Sequence, residues 1–455
     1  MTRHAHRPTL RSLDAECPQT TTSSSTFHPG AWLGGVLTLV ALLALVGCGK
    51  KDTSSAPAKG AEATKTTAKG APQGEDEQAE KEKPLKPIDR GMLGAFKALP
   101  KNFDSATNPG TPAKIRLGQM LYFDKRLSRS GTISCNSCHD LNKFGVDYES
   151  TSPGHDKKLG GRNSPTVFNA AGHFRQFWDG REPDVEAQAK GPVLNPVEHG
   201  LKDAAEVEKI LSNIPGYVAM FQRAFPEDGD KAITFDNFGK AVGAFERRLV
   251  TPAPWDSFLA GDDKALTQSQ KIGARLFVET GCVACHNGAL LGGRTYQKLG
   301  KVKPWPRAAD EGRKTVTGKA EDRHLFKVPS LRNVAKTMPY FHDGKTMELR
   351  EAVQLMAIHQ LGKKLGEDEV KLIESFLESL TGQISERLTR RPTLPASKGV
   401  KEGMDKDAAP TKAKVVKRKA PKKRADVVPK APPSPDDAPP PPLPPADHVP
   451  PPPEK

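Results

Sequence analysis

Apolar residues are spread very unevenly along the 455-residue chain. Residues 31–46 are continuously apolar, but a helix that spans a bilayer needs roughly 20 such residues, so this run is typical of a signal peptide. Residues 49–87 and 388–455 contain few large apolar side chains. Such segments cannot bury enough surface to fold. The folded body is therefore predicted at about residues 88–386.

Within this body, apolar positions recur at the spacing of amphipathic helices. Alternating β-branched segments are scarce. The pattern predicts two helices that each lead into a cysteine motif and two that each close a half of the body, at residues 115–123, 272–277, 234–249 and 367–380.

A proline-containing break at residues 251–254 separates the two halves. We therefore predict a mainly α fold of two domains packed together, with long irregular segments. Their limits are predicted at 88–252 and 253–387.

Two C-x-x-C-H pentapeptides, at residues 135–139 and 282–286, carry the candidate chemistry. This spacing is the attachment sequence of c-type haem, in which two thiols hold the vinyl groups and the histidine ligates the iron. A zinc site or a redox dithiol gives no reason for a histidine directly after both motifs. The predicted attachment and ligand residues are Cys135, Cys138, His139, Cys282, Cys285 and His286. With one motif in each half, the fold is predicted to be two cytochrome c-like haem domains packed together.

The chain has a formal net charge of +15 and only 6% aromatic residues. Both values depend partly on the termini, since a basic stretch at residues 412–424 precedes a proline-rich end. We interpret residues 388–455 as a disordered tail, which is typically a solvated linker but is also able to hold an anionic surface. No nucleic acid partner is expected.

The apolar run at residues 31–46 ends in Leu45-Val46-Gly47-Cys48, which resembles a bacterial lipoprotein signal. We predict a signal peptide at 1–47, lipid on Cys48 and a flexible tether at 48–87. An uncleaved anchor helix is the alternative. Both place the body at a membrane, facing an extracytoplasmic space, and several acyl chains together hold a protein stably.

The sixth iron ligand decides between electron transfer and reaction at an open site. Composition does not choose among the available side chains, since a lone histidine or methionine is more often a surface or core residue. The candidates are His155 and His173 after the first motif, and Met338, His342, Met347, Met356 and His359 after the second.

The body resembles the bacterial di-haem cytochrome c peroxidases over about residues 90–385. The order and spacing of the shared stretches make the resemblance specific. They are LGQMLYFDKRLS at 117–128, SCNSCHD at 134–140, GRNSPTVFNA at 161–170, QFWDGR at 176–181, QAKGPVLNPVE at 188–198, GCVACHNG at 281–288, VPSLRNVAKTMPYFHDG at 328–344 and QLG at 360–362.

For the N-terminal half, the resemblance implies a peroxidatic haem with a removable distal ligand, His155. It implies Glu198 as the catalytic glutamate and Gln188, ten residues earlier, as a further active-site residue. Trp178 matches the tryptophan that lies between the two haems.

For the C-terminal half, the resemblance implies an electron-transferring haem ligated by His286 and Met356. It also implies a calcium ion held by the side chain of Asn163 and the backbone carbonyls of Thr337 and Pro339. Oxygen ligands of this kind suit calcium.

The implied function is reduction of hydrogen peroxide to water with electrons from a small cytochrome c or a blue copper protein. Electrons are expected to enter at the His/Met haem, and peroxide to be cleaved at the N-terminal haem. The implied location is the periplasm, with membrane anchoring through lipid, and family members are commonly homodimers.

One position departs from the family pattern, because His199 stands where methionine commonly follows the catalytic glutamate. It could donate a proton, act as a second axial ligand or face away from the pocket. Two alternatives to the peroxidase remain at this point. One is a di-haem maturation oxidase, which has tyrosine in place of Met356. The other is a membrane-tethered di-haem electron carrier or sensor, which has no need of Glu198.

Overall fold

The computed structural model describes residues 85–397. The predicted signal peptide, Cys48, almost all of the tether and residues 398–455 of the tail lie outside the described residues. No helix within 85–397 is both long enough and apolar enough to cross a bilayer.

The described chain is mainly helical, which confirms the predicted fold class. Short 3-10 turns and long irregular segments connect the helices, and the two strands pair antiparallel as a single ladder. The elements are α1 Pro112–Phe123, α2 Cys135–Cys138, α3 Val185–Leu194, α4 Ala204–Ser212, α5 Pro215–Ala224, α6 Phe235–Glu246, α7 Pro254–Leu259, α8 Gln268–Thr280, β1 Tyr296–Lys298, α9 Lys314–Thr317, β2 Leu325–Lys327, α10 Leu349–Leu361, α11 Glu367–Glu378 and α12 Glu386–Thr389.

Side-chain caps define where the main helices begin. The Thr111 hydroxyl accepts from the Lys114 amide at the start of α1, and Pro112 occupies the first turn. Thr267 and Gln270 form a reciprocal capping box at the start of α8. Each cap satisfies an amide that the helix itself cannot pair, which stabilises the helix by about 1 kcal/mol.

The two halves contain separate apolar cores. The first core lies among α1, α3, α4, α5 and α6, and the second lies among α7, α8, α10 and α11. Tyr122 and Phe245 are fully buried in the first, as are Trp255 and Phe376 in the second. The helix that closes each half lies against the helix that precedes the haem motif, so each core supports one motif.

The same close helix crossing occurs in both halves. Where α1 crosses α6, a Cβ on Gly118 would lie 1.9 Å from the Ala241 carbonyl oxygen. Where α8 crosses α11, a Cβ on Gly273 would lie 1.8 Å from the Leu372 carbonyl oxygen. Only glycine permits backbones to approach this closely. The helix predicted ahead of each cysteine motif thus belongs to the same kind of helix pair in both halves.

A buried polar cluster joins the two halves at the predicted break. The Thr251 hydroxyl oxygen lies 2.8 Å from Asn169 Nδ2 and 2.9 Å from Asn333 Nδ2. Asn169 and Asn333 come from opposite halves, and all three side chains are fully buried. Because buried polar groups must be paired, this cluster fixes the junction between the halves.

The last described residues return to the first half. Gln119, on α1, donates from Nε2 to the carbonyls of Arg387 and Leu388, each at 3.1 Å. Arg126 donates to the Pro395 carbonyl at 2.9 Å. The beginning of the segment assigned to the tail therefore contacts the N-terminal half, while the domain limits themselves stay predictions.

Glu246 gives the first half a pH-dependent stability. Its side chain is only 4% exposed, and burial, with the Glu186 charge second, raises its pKa to about 8. A carboxyl whose pKa is higher in the folded state stabilises the fold fully below the unfolded pKa. It loses that contribution as the pH rises through about 8.

We expect Glu246→Gln to remove this loss of stability. The free energy of unfolding of the wild type should fall between pH 5 and 8 by up to about 1.4 kcal/mol per unit, and that of the variant should fall less. Urea unfolding at both pH values measures the slope, with exposed Glu227→Gln as the matched control. An unchanged slope in Glu246→Gln would contradict the assignment.

Candidate active site

The first haem motif forms the short helix α2. The Ser137 hydroxyl accepts from the Ser134 amide at 3.0 Å, and the His139 amide donates to the Cys135 carbonyl at 3.0 Å. The buried Tyr122 hydroxyl donates to the His139 carbonyl at 2.6 Å. These bonds place both thiols and the histidine on one turn that rests on the first core.

The second motif has the same order of residues and a well-defined imidazole orientation. The His286 amide donates to the Cys282 carbonyl at 3.0 Å, and its Nδ1–H donates to the Leu291 carbonyl at 3.0 Å. In a neutral ring this leaves Nε2 with a free lone pair, which is the arrangement that second-shell bonds give to metal-binding histidines.

Both motifs fit covalent haem better than zinc. Burial raises the pKa of the Cys138 and Cys282 thiols to about 11, so neither is a ready thiolate ligand. Among residues 85–397, no group of three or more histidine, cysteine or acidic side chains could hold a metal ion. Burial also lowers the pKa of the His139 imidazole, which favours the neutral ring that binds iron.

The His286 motif borders an apolar cavity that suits a flat macrocycle. Phe277, Leu331 and Leu377 contribute apolar walls, and Met356 enters the same cavity from α10. His342 also lines the cavity. The structure therefore brings two of the five candidate ligands of this half, Met356 and His342, to the second motif.

The other candidates of the C-terminal half lie elsewhere. Met338 and Met347 are 39% and 46% exposed and do not line the cavity. His359 Nδ1 donates to the Lys303 carbonyl at 3.2 Å. His342 stacks on Phe326 with ring centroids 4.4 Å apart. Stacking involves the ring face and not the ring nitrogens, so His342 and Met356 both stay candidate ligands in this cavity.

Glu198 lies on the irregular segment that follows α3. The Asn195 side-chain Nδ2 donates to Glu198 Oε1 at 3.0 Å. Burial raises the pKa of Glu198, although Arg181 opposes the shift. Its charge acts on both Cys135 and Cys138. A partly desolvated carboxyl therefore lies close to the first haem motif.

His155 is buried against the same segment as Glu198. Its amide donates to the Glu198 carbonyl at 2.8 Å, and its Nε2–H donates to the Pro196 carbonyl at 3.1 Å. Asp156 Oδ1 lies 3.0 Å from its Nδ1. The imidazole is thus held by the Pro196 carbonyl in this conformation, and its role as a ligand stays a prediction.

His199, the position that departs from the family pattern, is buried. It is 4% exposed, and its Nδ1–H donates to the Leu127 carbonyl at 2.7 Å. Burial lowers its pKa, and the nearby His139 and His155 lower it further. The ring therefore lies close to both histidines as a neutral imidazole, and it does not face solvent.

Gln188 and Trp178 lie on different segments of the N-terminal half. Gln188 is half-buried on α3, ahead of the Glu198 segment. Trp178 lines the cavity of the second motif, and its Nε1–H donates to the Asn163 carbonyl at 2.9 Å. Trp178 thereby connects the C-terminal cavity with a segment of the N-terminal half.

The segments predicted to hold calcium meet in the structure. The Asn163 amide donates to the His342 carbonyl at 2.8 Å, and the Ser150 hydroxyl donates to the Gly344 carbonyl at 2.9 Å. Asn163 Nδ2 donates to the Glu149 carbonyl. Thr337 and Pro339 belong to the loop that leads into His342, so the calcium site stays a prediction at this interface.

Gly200 is required where the Glu198 segment meets His155. Its φ is +74°, and a Cβ there would lie 2.3 Å from His155 Nε2. We expect Gly200→Ala to displace the imidazole from Pro196 and to change the absorption spectrum of the N-terminal haem. The matched control is Gly131→Ala, with φ +66° and no atom near its Cβ, which adds only left-handed strain of about 1 kcal/mol. Identical spectra of the two variants would contradict this.

A family model for di-haem cytochrome c peroxidase matches residues 112–264. Cytochrome c551 peroxidase of Pseudomonas aeruginosa is 46% identical over 310 residues, which cover 66% of this chain and 88% of that protein. Cytochrome c551 peroxidase of Nitrosomonas europaea is 44% identical over 295 residues, which cover 64% of this chain and 86% of that protein.

Solved structures show the same fold. A MauG-like protein associated with microbial copper homeostasis superposes with a TM-score of 0.56 at 27% identity. The match covers 65% of this chain and 96% of that one.

Proposed function

Because the chain belongs to the di-haem cytochrome c peroxidase family, we propose that its N-terminal haem site cleaves hydrogen peroxide and its C-terminal haem site receives the electrons. Family membership itself makes the protein a cytochrome c peroxidase with two haem c groups, hydrogen peroxide as substrate and a cytochrome as reductant. The division of labour between the two sites is the proposal.

The half-buried carboxyl of Glu198 beside the first motif is the observation that supports this assignment. Bound haem supplies the redox chemistry and the iron to which peroxide binds. Peroxide reduction also needs a group that takes a proton from one oxygen and delivers it to the other. The raised pKa of Glu198 brings the carboxyl closer to neutral pH, where such transfer is most efficient.

The proposal gives His155 the role of a removable ligand. Its ring lies against the Glu198 segment and is held by the Pro196 carbonyl. A movement of residues 152–160 would therefore change the environment of His155 and Glu198 together. Gln188 is proposed to help line the same pocket.

Trp178 and the predicted calcium ion are proposed to couple the two halves. Trp178 lines the C-terminal cavity and is hydrogen-bonded to Asn163, and Asn163 is also bonded to the His342 loop. A calcium ion on Asn163, Thr337 and Pro339 would tie this loop to the segment that holds His155. We further propose a periplasmic, lipid-anchored protein that is able to form a homodimer, with a small cytochrome c or a blue copper protein as the donor.

Stoichiometric turnover tests the proposed function. The purified haem-loaded protein should oxidise about two reduced small cytochromes per peroxide, since reduction of one peroxide needs two electrons. An electron carrier or sensor would exchange electrons with the cytochrome but consume no peroxide catalytically. A maturation oxidase would use peroxide poorly with the cytochrome as donor, and replacing Met356 with tyrosine should move the protein toward that behaviour.

A further inference from the structure

Lys327 is a buried lysine without an acidic partner. It is the last residue of β2 and is 7% exposed. Within residues 85–397 no carboxylate forms an ion pair with it, and its Nζ lies 2.9 Å from His173 Nδ1. Lysine is almost never fully buried unless it is paired, so we expect an anionic ligand to pair with the Lys327 ammonium group.

His173 keeps the lysine in place and does not neutralise it. With Lys327 as the donor, His173 Nδ1 accepts and the ring hydrogen is on Nε2, which is buried without a partner. The ring packs on Gly293, where a Cβ would lie 2.3 Å from His173 Cδ2. Two adjacent nitrogen groups are therefore buried with no negative charge beside them.

The backbone places Lys327 at the edge of the C-terminal haem cavity. Lys327 lines this cavity together with Trp178 and His286, and its amide donates to the Trp178 carbonyl at 2.8 Å. Burial lowers the pKa of the lysine to about 7, which fits an ammonium group that lacks an anion. Haem c carries two carboxylates, so haem in this cavity would supply an anion next to Lys327.

We propose that Lys327, positioned by His173, binds a carboxylate of the C-terminal haem and raises the reduction potential of that haem. Oxidation adds a positive charge to the iron, and a nearby carboxylate stabilises that charge. An ammonium ion on the carboxylate cancels this effect and so favours the reduced haem. His173 is the positioning residue in this account. The proposal rests on haem bound at the second motif and does not require peroxide turnover.

Potentiometric titration of the holoprotein tests the proposal on both haems at once. In Lys327→Gln we expect the reduction equilibrium of the C-terminal haem to shift about tenfold toward the oxidised form, which is 59 mV for one electron. The N-terminal haem should shift less than about twofold. Val328→Ala alters the same cavity wall without changing charge and is the matched control. An unchanged C-terminal potential in Lys327→Gln with both haems bound would overturn the proposal.

The wild-type protein provides a test that does not depend on folding of a variant. Resonance Raman spectra of the C-terminal haem report whether its carboxylates accept hydrogen bonds. We expect one carboxylate of the wild type to be hydrogen-bonded. Two carboxylates without hydrogen bonds to protein would overturn the assignment of Lys327, while leaving the peroxidase function untouched.

Discussion

Replacing Glu198 with glutamine is expected to lower peroxide turnover by about 10²–10⁴-fold, which is the usual contribution of a general acid–base group. Glutamine keeps the size of the side chain and can still bond to Asn195, but it cannot carry the proton between the two peroxide oxygens. Because burial raises the pKa of Glu198, wild-type turnover should decline on acidification at a pH above the usual carboxyl range. This limb of the pH profile should be absent in Glu198→Gln.

Glu227→Gln provides the matched control for this experiment. Glu227 is an exposed glutamate of the same half, so its replacement should leave turnover within about twofold of the wild type. Haem content must be equal in both variants. Full turnover in Glu198→Gln would remove Glu198 from the mechanism and favour an electron carrier, which is indifferent to the change.

Replacing Met356 with leucine is expected to lower the reduction potential of the C-terminal haem and to reduce turnover with reduced cytochrome at least about 100-fold. A thioether ligand favours the ferrous state, and axial ligands tune haem potentials over about 0.8 V. Met356 lines the cavity that contains His286, so its loss should leave the iron without this ligand. The change is measured by potentiometry and by the absorption of the ferric iron–thioether bond.

Two variants make the Met356 result specific. Met347→Leu makes the same chemical change at a 46% exposed position outside the cavity, and should alter neither potential nor turnover. His342→Ala removes the other candidate ligand that lines the cavity. A loss of the axial signal in His342→Ala but not in Met356→Leu would contradict the assignment of Met356.

The sequence predicted the helices of the body because their apolar stripes were long and periodic. The segment at 234–249 corresponds to α6, Phe235–Glu246, and that at 367–380 to α11, Glu367–Glu378. Helix periodicity is a local property, so it can be recognised from the sequence alone. The cysteine motifs could be recognised in the same way, since haem attachment imposes a spacing on five consecutive residues.

Contacts between distant segments were not accessible to the same reasoning. The strand pair that ends in Lys327 consists of two three-residue strands, which are too short to produce an alternating pattern. The bond between Lys327 and His173 joins residues 154 positions apart. No local signal marks either residue as buried, and the sequence presents His173 only as one of two candidate ligands after the first motif.

The position of His199 also required the fold. From sequence it could act as a proton donor, act as a ligand or face away, and its neighbours gave no reason to choose. The structure buries it against the Leu127 carbonyl, because the turn between α1 and α2 lies beside the Glu198 segment.

Peroxide-dependent oxidation of a reduced small cytochrome c, before and after half-reduction with calcium present, tests the central claim most directly. Turnover that appears or rises on half-reduction is the predicted result, because reduction of the C-terminal haem should release His155 from the N-terminal site. Turnover that half-reduction does not change would contradict the role of His155. No turnover in either state, with both haems bound, would contradict the division of labour between the two sites.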